Sequence, residues 1–445
     1  MSAIAIALAE MGHDVSGSDL REHPVLERVR AARVAVEIGH DRSLVHGVDA
    51  LTASTAVPDH NIELDEARAT GVRVLPRSGM LASICARAKS LAVAGTHGKT
   101  TTSSMLMLIL AEARLRPSFV VGGDVTDVGT GAQWTGGEWL VVEADESDGT
   151  HLELPLYGTI LTNVDVDHLD HYGTFERIVA SFDRYLSQVH GPKIICADDP
   201  VGARLAQRHG AVTYGLSDGA DIRAVDVRPT RGSFVFSLVR AGTGTSPDVR
   251  LGEIALPLRG IHNVANATAA AAMALEIGVD FADVASALAR FGGVARRFDV
   301  RGVDDGATFV DDYAHLPTEI AAVLAAARGS GDPWRRVIAV FQPNRFNRIS
   351  EIWEQYADAF GDADIVVLTD IFASGTTPIP GVTGKLIVNA VTEAHPEQRV
   401  VWLPRREDLV SFVAGEARDG DVCLSMGCGD IASFPSEVLD ARRRT

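Results

Sequence analysis

Short apolar runs alternate with stretches of helical periodicity along almost the whole chain. Ile4, Ile6, Leu8 and Met11 set a helical pattern over Ser2–Glu10, and a strand is expected around Val15, then at 50–55 and 72–75. Leu91-Ala92-Val93-Ala94 reads as a buried strand, and Met105, Leu106 and Leu110 mark the helix that follows it. Beyond it, strands at 118–121, 139–143, 159–163 and 193–197 alternate with helical patterns, which predicts a mainly parallel sheet. Residues 222–240 and 249–260 alternate in twos, as a small antiparallel layer does, and the alanine-rich 264–278 reads as a packed helix. Strands at 308–310, 336–341, 364–368, 399–402 and 421–426 again alternate with helices. The pattern predicts an α/β chain in three segments. These are a Rossmann-like 1–88, an ATPase-like 89–295 with a mainly parallel sheet plus the antiparallel layer, and a Rossmann-like 296–445.

Composition narrows the class. A chain of 445 residues, 46% of them hydrophobic, is too long for one core and supplies several. A net charge of -18 opposes nucleic acid or an anionic membrane as a partner, so an anionic substrate has to be gripped locally. Cys85, Cys196, Cys423 and Cys428 are scattered without metal-ligand spacing, which fits a reduced cytoplasm. Neither a signal peptide nor a membrane span is expected.

The candidate chemistry centres on Gly95-Thr96-His97-Gly98-Lys99-Thr100-Thr101, between the buried strand and its helix. Glycines let backbone N–H groups approach an anion, the helix N-terminus adds partial positive charge, Lys99 adds a full one, and the Thr100 hydroxyl can hold Mg²⁺. The standard phosphate-loop spacing needs glycine where Val93 stands, so the mechanics survive although the regular expression fails. Two further clusters follow strands. Glu143-Ala144-Asp145-Glu146-Ser147-Asp148 and Asp165-Val166-Asp167-His168-Leu169-Asp170-His171 are expected to face the phosphates from the carboxyl ends of parallel strands. Ser18 and Asp19 are expected in the turn after the strand at Val15, where such folds meet a ribose; an ordinary Asx turn is the alternative.

The string Gly-Thr-His-Gly-Lys-Thr-Thr-Thr resembles the ATP loop of the Mur ligases, which build the peptide stem of bacterial cell-wall precursors, and above all that of the alanine-adding members. The resemblance runs through all three segments and implies the three-domain architecture of that family. It implies ATP and Mg²⁺ as cofactors, UDP-N-acetylmuramate and L-alanine as substrates, a monomer or homodimer, and amide formation through an acyl phosphate. Residue by residue, Glu143 and His168 correspond to the metal-holding pair. Asn263, in Gly260-Ile261-His262-Asn263, corresponds to the adenine contact, and Arg296 or Arg297 to the phosphate-reaching arginine. Ser18 and Asp19 lie near the nucleotide of the UDP-sugar in that family. Tyr313, His315, Arg345 and Arg348 correspond to groups that meet the substrate or the reaction centre.

The pattern departs at Leu316 and Asn344, where the family usually has histidine, and no role passes to them. Residues 373–381 keep the Pro-Ile-Pro-Gly end of a family loop but lack the charged residues often ahead of it, which bears on amino-acid selectivity. The helix at 175–189 has no lysine to carbamylate, unlike some relatives. Met1-Ser2-Ala3-Ile4-Ala5 resembles the end of the motif that grips the UDP diphosphate, so the first strand and glycine-rich loop are expected to be absent. A start assigned at an internal methionine is favoured over a lost strand, which would leave an unpaired edge. The alternatives in function are a recycling ligase that joins a tripeptide to the same UDP-sugar, a phosphotransferase that stops after moving phosphate, and a non-catalytic nucleotide binder.

Overall fold

The computed structural model describes all residues except 55, 56, 243, 245 and 445, together with every side chain in that set but those of 24 and 170. Thr55, at the end of one expected strand, and the side chain of Asp170 therefore lie outside the described residues. The chain divides into two compact units. One comprises Met1–Val225, Leu238–Gly252 and Ala265–Phe291; the other comprises Asp226–Ser237, Glu253–Val264 and Gly292–Thr445.

In the first unit the opening helix Ser2–Glu10 is followed by two separate parallel pairs, Ser16–Asp19 with Ala35–Ile38 and Ala50–Ala53 with Arg73–Pro76. Ser18 and Asp19 thus lie within a strand and not in a turn after it, because the extended pairing begins one residue beyond Val15. The main sheet is built on Lys89–Ala94, which pairs in parallel with Trp139–Glu143 on one side and Gly158–Leu161 on the other. Lys193–Cys196 and Val212–Gly215 extend it in parallel beyond Gly158–Leu161. Ser118–Val125 and the antiparallel Thr130–Gln133 complete the opposite edge. The last pairing went unread in the sequence, since Thr-Gly-Ala-Gln carries almost no apolar signal.

Every residue of Ser90–Ala94 is buried, as a central parallel strand covered on both faces requires. Ala92 and Ala94 pack with Leu81, Ile84 and Cys85 of the helix Arg77–Cys85 and with Ile178, Phe182 and Leu186 of Phe175–Gln188. Fully burying a side chain of this size contributes about 1.5–3 kcal/mol. The helix Lys99–Glu112 is buried all round from Thr100 to Leu110. Its serine hydroxyls are accommodated by bonding back along the helix, Ser103 to the Lys99 carbonyl at 2.9 Å and Ser104 to that of Thr100 at 2.7 Å.

The expected antiparallel layer is three strands, Ile222–Thr230, Ser233–Arg240 and Val249–Leu256, which end the ten-stranded sheet; the division into units cuts through each of them. Only two residues link the first two, and Gly232 takes the positive φ of 70° that so tight a connection needs.

The second unit carries a six-stranded sheet. Ala307–Asp312, Asp421–Met426, Arg336–Phe341, Ile365–Leu368 and Arg399–Trp402 run parallel in that spatial order, with Asp299–Asp304 antiparallel on the outer edge. Successive side chains serve opposite cores. Val337, Ala339 and Phe341 pack into one cluster with Leu324 and Phe360, while Ile338 and Val340 pack into the other with Leu409 and Phe434. Among the described residues no helix is long and apolar enough to cross a membrane.

Candidate active site

The loop after Lys89–Ala94 is held by the neighbouring strand end. Thr96 N donates to the Asn163 carbonyl at 3.1 Å, and His97 N donates to Asn163 Oδ1 at 2.8 Å. Thr162 Oγ1 donates to the His97 carbonyl at 2.6 Å and Asp165 N to Thr96 Oγ1 at 2.9 Å, while the His97 ring lies 3.0 Å from Asp165 Oδ2. Gly95 and Gly98 have φ of 121° and 81°, which side-chain-bearing residues rarely adopt. A Cβ on Gly95 would stand 2.2 Å from Thr162 Oγ1, and one on Gly98 would stand 2.6 Å from Asn266 Oδ1. The glycines therefore serve close packing against Thr162, Asn163 and Asn266 as well as turn geometry. Thr162 and Asn163 are additions to the sequence reading, although Asn163 ends an expected strand; Asn266 follows Asn263 by three residues.

Lys99 begins the helix, and its Nζ lies 2.6 Å from the Gly95 carbonyl, 3.1 Å from that of Thr96 and 2.9 Å from both oxygens of Glu146. Burial works against both charges. Glu146 and its acidic neighbours outweigh it at Lys99 and hold the ammonium above its ordinary range, whereas burial pushes the Glu146 carboxyl up to about 7 against the pull of Lys99. Thr100 Oγ1 donates to Glu143 Oε2 at 3.2 Å, and Gly122 N donates to Glu143 Oε1 at 2.5 Å. Thr101, in the first helical turn, is buried. His168 takes a positive φ of 54° ahead of the short helix Leu169–Tyr172, with Nε2 3.1 Å from Asp167 Oδ2. The register pairs Val93 with Glu143 and Ala94 with Leu161, so both acidic stretches start where strands flanking the loop strand end.

Elsewhere in this unit Ser18 Oγ donates to Glu63 Oε1 at 2.7 Å and lies 3.0 Å from His40 Nδ1, itself 2.9 Å from the same carboxylate oxygen. His40 and Glu63 are additions to the sequence reading. Asp19 accepts from Arg21 N at 3.2 Å.

In the second unit three parallel strand ends bring their loops together. Arg296, at a φ of 62°, donates from Nε to Asp311 Oδ2 at 2.9 Å and from Nη2 to the Gly427 carbonyl at 2.7 Å. Its guanidinium carbon lies 5.0 Å from the centre of the Tyr313 ring, and that of Arg297 lies 5.2 Å from it. Asp312 accepts from Phe298 N and Ala314 N, both at 2.7 Å, and burial pushes its carboxyl up to about 6 against Arg297. His315 Nδ1 lies 3.1 Å from the Tyr313 carbonyl and 3.2 Å from Glu319 Oε2, with its ring edge-on to Tyr313. Arg345 has a φ of 61° and is tied through its N–H to the Phe372 carbonyl at 2.9 Å; Arg348, 8% exposed, donates to Asn344 Oδ1 at 2.9 Å.

Cys428 joins this group. Burial raises its thiol pKa against the opposing pull of Arg348, Arg345 and Arg296. Leu316, 3% exposed, belongs to the hydrophobic core. Asn263 donates from Nδ2 to the Arg259 carbonyl at 2.7 Å, in the first turn of the helix Ile261–Glu276.

Among the described residues no three His, Cys, Asp or Glu side chains gather into a metal cage. Glu143 and the Thr100 hydroxyl offer hard oxygen donors beside the loop, a set that suits Mg²⁺, which keeps waters and takes phosphate oxygens instead of filling an all-protein cage.

Residues 1–89 match the model of the Mur ligase family, catalytic domain, 93–274 that of the Mur ligase middle domain, and 296–429 that of the Mur ligase glutamate ligase domain. A UDP-N-acetylmuramate--L-alanine ligase of Pelobacter propionicus is 42% identical over 438 residues, covering 97% of this chain and 93% of the relative. Another, of Rubrobacter xylanophilus, is 41% identical over 444 residues, covering 99% and 97%. The crystal structure of the UDP-N-acetylmuramate-alanine ligase of Thermotoga maritima superposes with a TM-score of 0.83 at 27% identity, covering 100% of this chain and 96% of that one. With a phosphate-type loop at the carboxyl end of its central strand and this likeness along its whole length, the chain belongs to the Mur ligase family.

Proposed function

We propose that this chain is the ATP-dependent ligase that adds L-alanine to UDP-N-acetylmuramate in peptidoglycan precursor synthesis. The observation that carries the reading is the 42% identity, across nearly the full length, to a ligase of that name. The loop geometry supports it. Gly95, Thr96, His97, Gly98, Lys99, Thr100 and Thr101 are assigned to the ATP phosphates, Asn263 to the adenine, and Arg296 and Arg297 to phosphate. Glu143, Thr100 and His168 would hold Mg²⁺, which would neutralise phosphate charge. Ser18 and Asp19 meet the nucleotide of the UDP-sugar, while Tyr313, His315, Arg345 and Arg348 meet the substrate or the reaction centre. The working division is 1–88 for the UDP-sugar, 89–295 for ATP and 296–445 for the amino acid, in a cytoplasmic enzyme.

A carboxylate is a poor electrophile, so the lactyl carboxylate oxygen first attacks the γ-phosphorus, the bond from that phosphorus to the β-bridging oxygen breaks, and ADP leaves. The free amine of alanine then attacks the acyl carbon. Phosphate departs with the electron pair of the C–O bond, and the amine loses a proton. Lys99 and the arginines stabilise charge on the transferring phosphoryl group. His315 is held through Nδ1 by Glu319 and the Tyr313 carbonyl, which supports a fixed ring for its part beside the substrate.

The test is phosphate release with ATP, Mg²⁺ and UDP-N-acetylmuramate, with and without L-alanine, and mass analysis of the product. Release that needs both substrates and yields UDP-N-acetylmuramoyl-alanine is expected. A phosphorylated sugar formed without amine consumption would make the protein a phosphotransferase instead.

A further inference from the structure

The surroundings of Lys99 hold one group for which the proposed reaction has no use. Its ammonium has three N–H donors, yet four protein oxygens lie within 3.1 Å: the carbonyls of Gly95 and Thr96 and both carboxylate oxygens of Glu146. A phosphate oxygen can reach Nζ only if some of these give way. The two carbonyls belong to a backbone pinned to the neighbouring strand end through Thr96 N and His97 N. Glu146 is also fixed at its backbone, since its carbonyl accepts from Tyr172 Oη at 2.7 Å and from Gly149 N at 3.1 Å. Its carboxylate, however, sits at the end of rotatable bonds. When ionised it also bears the negative charge that an incoming triphosphate opposes, and at 4% exposure water does little to screen that repulsion.

We propose that Glu146 is an internal competitor of the nucleotide phosphates for Lys99, neutralising the lysine until a phosphate oxygen takes it over. The residue thereby lowers nucleotide affinity and positions the lysine for exchange, as a positioning residue and not a catalytic one. This inference rests on the reading of residues 95–101 as the phosphate cradle. The isosteric Glu146→Gln keeps one acceptor for Lys99 and removes the competing charge.

The experiment is a calorimetric titration of ADP and of ATP, with Mg²⁺ and in EDTA, into the full chain and into Glu146→Gln, Lys99→Met and the double variant, each checked for an unchanged melting profile. Glu146→Gln is expected to bind both nucleotides about tenfold more tightly, equivalent to about 1.4 kcal/mol. Lys99→Met is expected to bind at least tenfold more weakly, and the gain from Glu146→Gln is expected to vanish in its background. Unchanged or weaker binding by Glu146→Gln, while Lys99→Met still loses affinity, overturns the role of Glu146 and leaves the cradle standing. An equal gain in both backgrounds shows plain repulsion without exchange at Lys99 and also overturns it. Wild-type affinity in Lys99→Met removes the cradle reading, and this inference with it. As a readout that mere packing would not move, KM for ATP is expected to fall with little change in kcat at saturation.

Discussion

At the scale of single residues, charge in this molecule is managed by what surrounds it more than by what it is. Lys99 stays charged because Glu146 faces it, while His151, three residues beyond Asp148, is fully buried and kept neutral. The His151 ring packs 5.6 Å from that of Phe182 and 5.5 Å from that of Tyr185; Nε2 lies 2.9 Å from Ser181 Oγ, and Nδ1 has no hydrogen-bond partner among the described residues. Burial holds its imidazole down at about 4, against the raising pull of Asp145. The sign of the consequence follows. Below the ordinary histidine value of about 6.5 the unfolded chain takes up a proton that the folded chain refuses, so the stability present at neutral pH is lost as pH falls toward 4. At pH 5 the loss from this residue amounts to about 2 kcal/mol. Urea unfolding at pH 7 and pH 5 is expected to show the wild type losing about that much more than His151→Phe. Equal losses would mean that His151 is protonated in the folded state.

At the scale of elements, the phosphate-type loop is a joint between two strand ends, and a flexible turn is the wrong picture of it. Gly95 shows this, because its positive φ and the closeness of Thr162 and the Asn163 backbone both exclude a side chain. Gly95→Ala is expected to cost about 2–4 kcal/mol, from the left-handed conformation together with overpacking against the neighbouring strand end. A melting curve would measure it, and a cost below about 1 kcal/mol would show that the two strand ends are free to part. Thr162→Val should also lower stability, by about 1 kcal/mol, because the carbonyls of Ala94 and His97 lose a donor. The second unit repeats the device. Asp311 and Asp312 at the end of one strand hold Arg296 and the backbone of Phe298, so the arginine is fixed by a carboxylate buried in the sheet.

At the scale of the whole molecule, family membership leaves open which amine the enzyme accepts, and the chain's departures bear on this. Leu316 has entered the hydrophobic core in place of a polar residue, and Asn344 is spent on Arg348. In residues 373–381, Thr376 Oγ1 accepts from Phe346 N at 2.9 Å and donates to the Ala373 carbonyl at 2.6 Å, which ties that loop to the arginine-bearing segment. In competition, L-alanine is expected to be consumed and a murein tripeptide left; consumption of the tripeptide would assign the chain to the recycling reaction.

The division between what was readable in the residues and what was not has a physical basis. Period-two and helical patterns report which face of an element is buried, a local property, so most strands of both sheets, the alanine-rich helix and the position of the loop were legible from the chain alone. The string around Lys99 named the family because backbone approach to phosphate constrains glycine, lysine and threonine within a few consecutive residues. The edge strands Thr130–Gln133 and Asp299–Asp304 escaped, since an edge buries too little for its pattern to stand out, and Ser16–Asp19 was misread as a turn because serine, glycine and aspartate favour turns. What only the tertiary structure decided was pairing across distance. Glu146 on Lys99, Thr162 and Asn163 on the loop, Glu63 and His40 on Ser18, and Asp311 on Arg296 join residues between 15 and 67 positions apart. Sheet order and helix packing bring them together, and no local pattern encodes which strand end will stand beside another.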